Sequence, residues 1–186
     1  MQITFDAELT RIGSCNIVIL PLLSSEQLPS RGMVMVAVTL NGMTFLSPLE
    51  PDGKGSHWFE VSDKQIDEMH IAVGQMLSLT LEPASDWPDP EMPQDVMDAI
   101  AQAGLLPQWR SVTVKAKWEW LRWIRSTSNP ETRKKRILVA CSKLSKGDKR
   151  PCCFDSSRCT VPDVSKSGVL IDPYAPQGTP VGPIRT

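Results

Sequence analysis

The stretch MVMVAVTLNGMTFLSPLE, residues 33–50, decides the fold of the N-terminal part of the chain. Two apolar runs lie on either side of the pair Asn41-Gly42. Both residues of this pair tolerate the positive φ angles that a two-residue hairpin turn requires. We therefore predict two antiparallel strands joined at Asn41-Gly42.

Similar short segments lie before and after this hairpin. ITFDAEL, which begins at Ile3, alternates apolar and polar residues with the period of a strand that is buried on one face. The other segments are NIVILPLL, HWFEV and MLSLTLE. About six or seven short strands separated by turn signals predict a small antiparallel β-barrel in residues 1–82. Ser62 and Gln65 predict a capping box at the start of a short helix within it.

A change of composition follows the last predicted strand. PASDWPDPEMP, residues 83–93, contains four prolines and is predicted to be a linker. Residues 94–147 have helical periodicity and predict a module of three or four helices. Asn129 suits an N-cap and Pro130 suits the first position of the last helix. The fold class is therefore α+β, and residues 148–186 form a cysteine-containing segment and a proline-rich tail.

Charge is distributed unevenly along the 186 residues. Residues 1–110 carry 5 Lys and Arg against 15 Asp and Glu, a balance of −10, and residues 111–186 carry 15 against 6, a balance of +9. Such asymmetry predicts either two modules that attract each other or a basic module with an anionic partner.

The composition also indicates a compartment. No apolar stretch approaches the roughly 20 residues that span a bilayer, so we expect no membrane insertion. The N-terminus lacks the pattern of a signal peptide, and five cysteines do not form a closed disulfide framework. We therefore expect a cytoplasmic protein with reduced thiols.

Three cysteines are concentrated in RPCCFDSSRC, residues 150–159. As soft ligands, Cys152, Cys153 and Cys159 would suit zinc or another soft metal. Their spacing, however, lacks the paired Cys-x2–4-Cys signature of a four-ligand zinc site. The flanking cations Arg150 and Arg158 favour redox reactivity of the thiols. A metal site, a redox sensor and incidental thiols therefore all remain open.

A basic run follows several tryptophans in the helical module. Its charged residues are Arg133, Lys134, Lys135 and Arg136. Four neighbouring cations can contact phosphates, and nearby aromatic side chains suit single-stranded nucleic acid. We expect Trp118 in the core and Trp120 and Trp123 nearer the surface. The alternative is that these cations are solvated or pair with the acidic barrel, and a nucleic-acid partner is not favoured.

The remaining candidate site lies at the barrel mouth, around LEPDGKGSHWF, residues 49–59. Its predicted ligand-binding residues are Arg31, Glu50, His57 and Trp58; the alternative is that they only support a hairpin. The sequence contains no Gly-x-Ser-x-Gly, His-Glu-x-x-His or dinucleotide-binding motif. We therefore favour a non-enzymatic protein that binds a small ligand or a protein partner.

Three stretches together resemble a bacterial protein family. They are SRGMVMVAVTLNG, LEPDGKGSHWF and WIRSTSNPETRKKRI, and the resemblance extends from about Phe5 to Pro173. In this family a small β-barrel domain of unknown function precedes a helical domain named bacteriocin-protection, YdeI or OmpD-associated. The resemblance implies the fold, a bacterial origin and a role in stress, antimicrobial-peptide or envelope resistance. It implies no established activity.

Overall fold

The computed structural model describes residues 1–175, and its N-terminal part is a closed antiparallel β-barrel. Six strands form it in the spatial order β1-β2-β5-β4-β3-β6. Their bounds are β1 Ile3–Ile12, β2 Cys15–Ile19, β3 Val34–Leu40, β4 Met43–Pro51, β5 His57–Glu60 and β6 Met76–Pro83. Two short helices, α1 Leu22–Ser25 and α2 Asp63–Met69, lie between strands. The predicted barrel is confirmed.

The hairpin turn and the capping box that were predicted in the barrel are both present in the structure. Leu40 pairs with Met43 across the β3–β4 turn, where Asn41 has φ 49° and Gly42 has φ 77°. The side chain of Ser62 accepts a hydrogen bond from the backbone N–H of Gln65, which completes the predicted capping box of α2. Closing the barrel buries the alternate apolar residues of every strand inside it, so the first hydrophobic core lies within the barrel.

Four helices follow the linker and form a second core. They are α3 Gln94–Gln102, α4 Leu106–Ser111, α5 Val114–Arg125 and α6 Pro130–Ser145. Asn129 caps α6 as predicted, since its Oδ1 accepts hydrogen bonds from the backbone N–H groups of Glu131 at 2.9 Å and Thr132 at 3.2 Å. No helix within residues 1–175 has the length and apolarity needed to cross a membrane.

The expected exposure of Trp120 and Trp123 and the expected burial of Trp118 need correction. Trp120 is completely buried because the chain after α6 covers it, and its indole N–H donates to the carbonyl of Lys149 at 3.1 Å. Trp123 is half-buried and packs edge-on against Trp120. Trp118 is also only half-buried, since it lies against the linker and donates to the carbonyl of Pro88. Helical periodicity could not reveal either covering segment.

The cysteine-containing segment packs back onto the barrel. After the 3-10 turn Pro162–Val164 it forms a small hairpin of β7 Ser165–Lys166 and β8 Val169–Leu170. A third apolar cluster joins this segment to the outer surface of the barrel. Its buried members are Ile12, Ile17, Trp58, Cys159, Val164 and Leu170. The proline-rich tail was predicted within residues 148–186, and residues 176–186 lie outside the described part.

Backbone contact between the β4–β5 turn and this hairpin makes Gly53 a critical position. Gly53 has φ +77°, and a Cβ there would overlap the carbonyl oxygen of Gly168 and lie 3.1 Å from its carbonyl carbon. Gly42 has the same φ of +77°, but a Cβ there would meet nothing within 4 Å. Comparing alanine substitutions at the two positions therefore separates the cost of the left-handed conformation from the cost of steric overlap.

We expect Gly42→Ala to lower the free energy of unfolding by about 1–2 kcal/mol, the cost of a left-handed alanine. Gly53→Ala should cost about 1–3 kcal/mol more, because the Cβ also pushes the hairpin away from the barrel. Urea unfolding of both variants measures the difference. Equal losses would show that residues 165–170 do not pack tightly on the β4–β5 turn.

Candidate functional site

A buried carboxylate joins the barrel to the helical domain. Glu50, near the end of β4, is 5% exposed, and Arg122 on α5 is 1% exposed. Arg122 Nε donates to Glu50 Oε2 at 2.8 Å, and Arg125 Nη2 donates to Glu50 Oε1. One carboxylate thus holds two guanidinium groups that lie one turn apart on the same helix face.

The same two arginines also bind the cysteine-containing segment. Arg122 donates to the backbone carbonyls of Ser156 at 3.3 Å and Arg158 at 3.2 Å. Arg125 donates through Nε and Nη2 to the hydroxyl of Thr160, at 3.2 and 3.0 Å. We call Glu50, Arg122 and Arg125 the central ion cluster, because it connects the barrel, the helical domain and the segment at one point.

The central ion cluster keeps Glu50 ionised. Burial alone would raise the pKa of Glu50, but the charges and hydrogen bonds of Arg125 and Arg122 outweigh burial and hold its pKa below the ordinary value of 4.5. Since the folded-state pKa is lowered, the stability that ionised Glu50 contributes is present above pH 4.5 and is lost as the pH falls through the lowered pKa.

Replacing Glu50 by glutamine should leave the buried guanidinium of Arg122 and the partly exposed one of Arg125 without their counter-charge. We expect Glu50→Gln to lower the free energy of unfolding by about 3–5 kcal/mol at pH 7. The matched exposed change Glu68→Gln should alter it by no more than about 0.5 kcal/mol. Below pH 4.5 the difference between wild type and Glu50→Gln should shrink. A constant difference down to pH 2 would contradict the assigned charge state.

The predicted barrel-mouth residues face different neighbours. Glu50 binds α5, whereas His57 is buried and hydrogen-bonded through Nδ1 to the Ser25 hydroxyl at 2.8 Å and through Nε2 to the Gly32 carbonyl at 2.9 Å. A carbonyl only accepts, so we assign the proton to Nε2, with Ser25 donating to Nδ1. Burial is the main cause that lowers the pKa of His57, which favours the neutral ring.

The other two predicted mouth residues also have contacts within the chain. Arg31 Nη1 donates to the Ser25 hydroxyl at 3.1 Å and to the Gly55 carbonyl at 3.2 Å. Trp58 is 2% exposed and packs in the third apolar cluster with Cys159. Arg31 and His57 thus meet at the Ser25 hydroxyl, and Glu50 and Trp58 are paired across β4 and β5. The role of the four residues in ligand binding stays a prediction.

The cysteines of the segment occupy three different environments. Cys159 is 3% exposed, and burial is the main cause that raises the pKa of its thiol. Cys152 and Cys153 are exposed, and Cys152 is the main cause that raises the pKa of the Lys143 ammonium group. Within residues 1–175, no three His, Cys, Asp or Glu side chains are grouped to hold a metal ion. Zinc binding by these cysteines stays a prediction.

A cleft of about 560 Å³ lies between the helical domain and the cysteine-containing segment. The α5–α6 turn and α6 form one wall, and residues 153–168 form the other. Its charged lining residues are Arg136, Asp155, Arg158 and Lys166, three cations and one acid, for a formal balance of +2. Its hydroxyl groups come from Ser126, Thr127, Ser128, Thr160, Ser165 and Ser167. We call it the basic cleft.

Arg136 is held rigidly in the wall of the basic cleft. Its Nη1 donates to the carbonyl of Trp123 at 2.7 Å and to the hydroxyl of Ser126 at 2.6 Å. Its guanidinium carbon lies 5.5 Å from the centre of the Trp123 ring. Partial burial lowers the pKa of Arg136, because the cation has lost part of its hydration. A bound anion would compensate for that loss.

Arg158 stands at the opposite wall and is more accessible. Its side chain is 55% exposed, with Nε donating to Asp155 Oδ2 at 3.3 Å and Nη1 to the Ser167 carbonyl at 3.0 Å. The same residue lines a second cavity, on the barrel side, together with Arg31 and Gly55. Arg158 therefore lies where the basic cleft approaches the barrel.

The basic run of α6 does not form one continuous surface. Arg133 makes two hydrogen bonds to Asp95 of α3, at 2.7 and 2.9 Å, and Lys134 lies 3.3 Å from Glu131. Arg136 faces the basic cleft instead. Sequence reasoning pointed to the run as a unit and missed the cleft, because Arg158 and Lys166 are distant from Arg136 along the chain.

These features define a two-domain protein in which a small β-barrel is joined through a buried ion cluster to a helical domain. Residues 89–147 match the family model described as bacteriocin-protection, YdeI or OmpD-associated. Residues 5–81 match the model of a domain of unknown function, DUF1905. The two matches place a DUF1905 domain before a YdeI/OmpD-associated helical domain, so the resemblance is confirmed in its domains and their order. A search of curated proteins gave no match.

The two matched regions do not include the cysteine-containing segment. Residues 148–175 lie beyond both of them. One wall of the basic cleft therefore comes from the family's helical domain, and the other comes from a segment that neither family model covers.

Proposed function

We propose that the protein is a non-enzymatic binding protein whose basic cleft takes a small anionic ligand. The observation that carries this proposal is the lining of the cleft, where Arg136, Arg158 and Lys166 face a single acid, Asp155. Guanidinium groups are well suited to carboxylates and phosphates because they donate two parallel hydrogen bonds. The hydroxyl groups of the cleft add further donors for oxygen atoms of the ligand.

Preorganisation supports binding at this place. Arg136 is already fixed by Trp123 and Ser126, so little side-chain entropy remains to be lost when a ligand binds. Half-buried Trp123 and Phe154 add apolar surface to the same cleft. Such a combination of a few placed polar groups with aromatic side chains is typical of small-molecule sites.

The acid in the cleft favours binding over catalysis. Asp155 accepts hydrogen bonds from the hydroxyl and backbone N–H of Ser157, which lower its pKa, and Arg158 lowers it further. An ionised, hydrogen-bonded carboxylate of lowered pKa is a weak general base. No histidine is present among the described residues that line the cleft.

The family provides the cellular context of the proposal. Its printed description is bacteriocin protection, YdeI or OmpD association. We propose that the protein acts in the cytoplasm and contributes to stress, antimicrobial-peptide or envelope resistance by binding an anionic molecule in its basic cleft.

Removing a cation from the cleft should weaken anion binding. We expect Arg158→Ala and Lys166→Ala each to reduce the affinity for inorganic pyrophosphate about tenfold, equivalent to about 1.4 kcal/mol for one lost charged contact. The exposed Lys64 lies on α2 of the barrel, so Lys64→Ala is the matched control and should leave the affinity unchanged. Isothermal titration calorimetry at low ionic strength measures all four proteins.

Two results would contradict the proposed function. One is that neither pyrophosphate nor a small dicarboxylate binds the wild-type protein at low ionic strength. The other is binding that Lys64→Ala weakens as much as Arg158→Ala does, since the anion would then respond only to net charge. Added salt should weaken genuine binding in the cleft, because the contacts are electrostatic.

A further inference from the structure

The basic cleft contains a nucleophile that anion binding does not use. Cys153 lines the same cleft as Arg158 and is exposed. Its neighbour Cys152 is also exposed but does not line the cleft. Cys153 has φ +58°, a left-handed conformation that is uncommon for a residue other than glycine. Two adjacent thiols are thus presented to different surroundings.

We propose that Cys153 forms a mixed disulfide with a small anionic disulfide that enters the basic cleft. This inference rests on the proposed function, and it identifies the ligand class as a low-molecular-weight disulfide that carries carboxylates. Glutathione disulfide is the representative probe.

Atoms and electrons balance by thiol–disulfide exchange without a further oxidant. The thiolate of Cys153 attacks one sulfur of the bound disulfide, and a new S–S bond forms between Cys153 and half of the ligand. The original S–S bond breaks, and the other half leaves as a thiolate. That thiolate takes up the proton that Cys153 lost. Cys153 is oxidised and the released half is reduced.

The surroundings of the cleft select both the reagent and the thiol. Arg136, Arg158 and Lys166 attract carboxylates and raise their local concentration beside Cys153. Cys159 also lines the cleft but is 3% exposed, so an incoming disulfide cannot reach its sulfur readily. Cys152 is also exposed but does not line the cleft, so it is the internal comparison.

The test uses the full reduced chain and the variants Cys152→Ser and Cys153→Ser. Each is incubated with glutathione disulfide or with cystamine, a disulfide that carries amines instead of carboxylates, and adducts are located by peptide mass spectrometry. We expect a glutathione adduct on Cys153 that Cys152→Ser retains and Cys153→Ser lacks. Glutathione disulfide should react at Cys153 about tenfold faster than cystamine after correction for their rates with free cysteine.

Two outcomes would overturn the inference. One is that Cys152 reacts with glutathione disulfide as fast as Cys153. The other is that cystamine reacts at Cys153 as fast as glutathione disulfide after the same correction. Pyrophosphate titration of Cys153→Ser separates the two proposals, since binding without selective reaction at Cys153 would remove only this inference. If the wild-type protein bound neither pyrophosphate nor a small dicarboxylate, the proposed function would be removed instead.

Discussion

The structure depends on one buried carboxylate, Glu50, and on the two arginines that surround it. A carboxylate that is almost completely inaccessible to water loses several kcal/mol of hydration and persists only when charges and hydrogen bonds replace that water. Arg122 and Arg125 supply both. Because the carboxylate comes from the barrel and the cations come from α5, the cost of burial is offset only when the two domains are docked.

The basic cleft follows from the same constraint. The carbonyls of Ser156 and Arg158 accept hydrogen bonds from Arg122, so the chain is held there in one path across α5. That path places the side chain of Arg158 opposite Arg136 in the cleft. It also places Cys153, but not Cys152, in the lining of the cleft. The ligand site and the reactive thiol we propose are therefore consequences of how the domains dock.

Signals confined to a few neighbouring residues were sufficient to predict much of the fold. Asn41-Gly42 predicted its hairpin, Ser62 and Gln65 their capping box, and Asn129 the start of α6, because each acts through backbone groups close in sequence. The charge asymmetry predicted either attraction between two modules or a basic module with an anionic partner. Between the barrel and the helical domain, Glu50 pairs with Arg122 and Arg125. Asp89 pairs with Lys117 and Asp95 with Arg133 within the linker and the helical domain.

The site was less predictable because its parts are distant along the chain. Glu50 was singled out as a candidate ligand residue, but its partner Arg122 lies 72 positions further on, and no local pattern connects them. Trp120 was expected nearer the surface because it lies off the main apolar stripe of α5, but the segment after α6 covers it. Arg136 was grouped with its neighbours in the basic run, whereas the fold turns it towards Arg158. In each case, contacts between elements that are distant along the chain determine where the side chain lies.

The central claim is that the ion cluster makes the barrel, the helical domain and the cysteine-containing segment one cooperative unit. Differential scanning calorimetry of the wild-type protein at pH 7 tests it most directly. We expect a single transition whose calorimetric enthalpy equals its van't Hoff enthalpy. Two separated transitions, or a calorimetric enthalpy well above the van't Hoff value, would show that the domains unfold independently and would contradict this account.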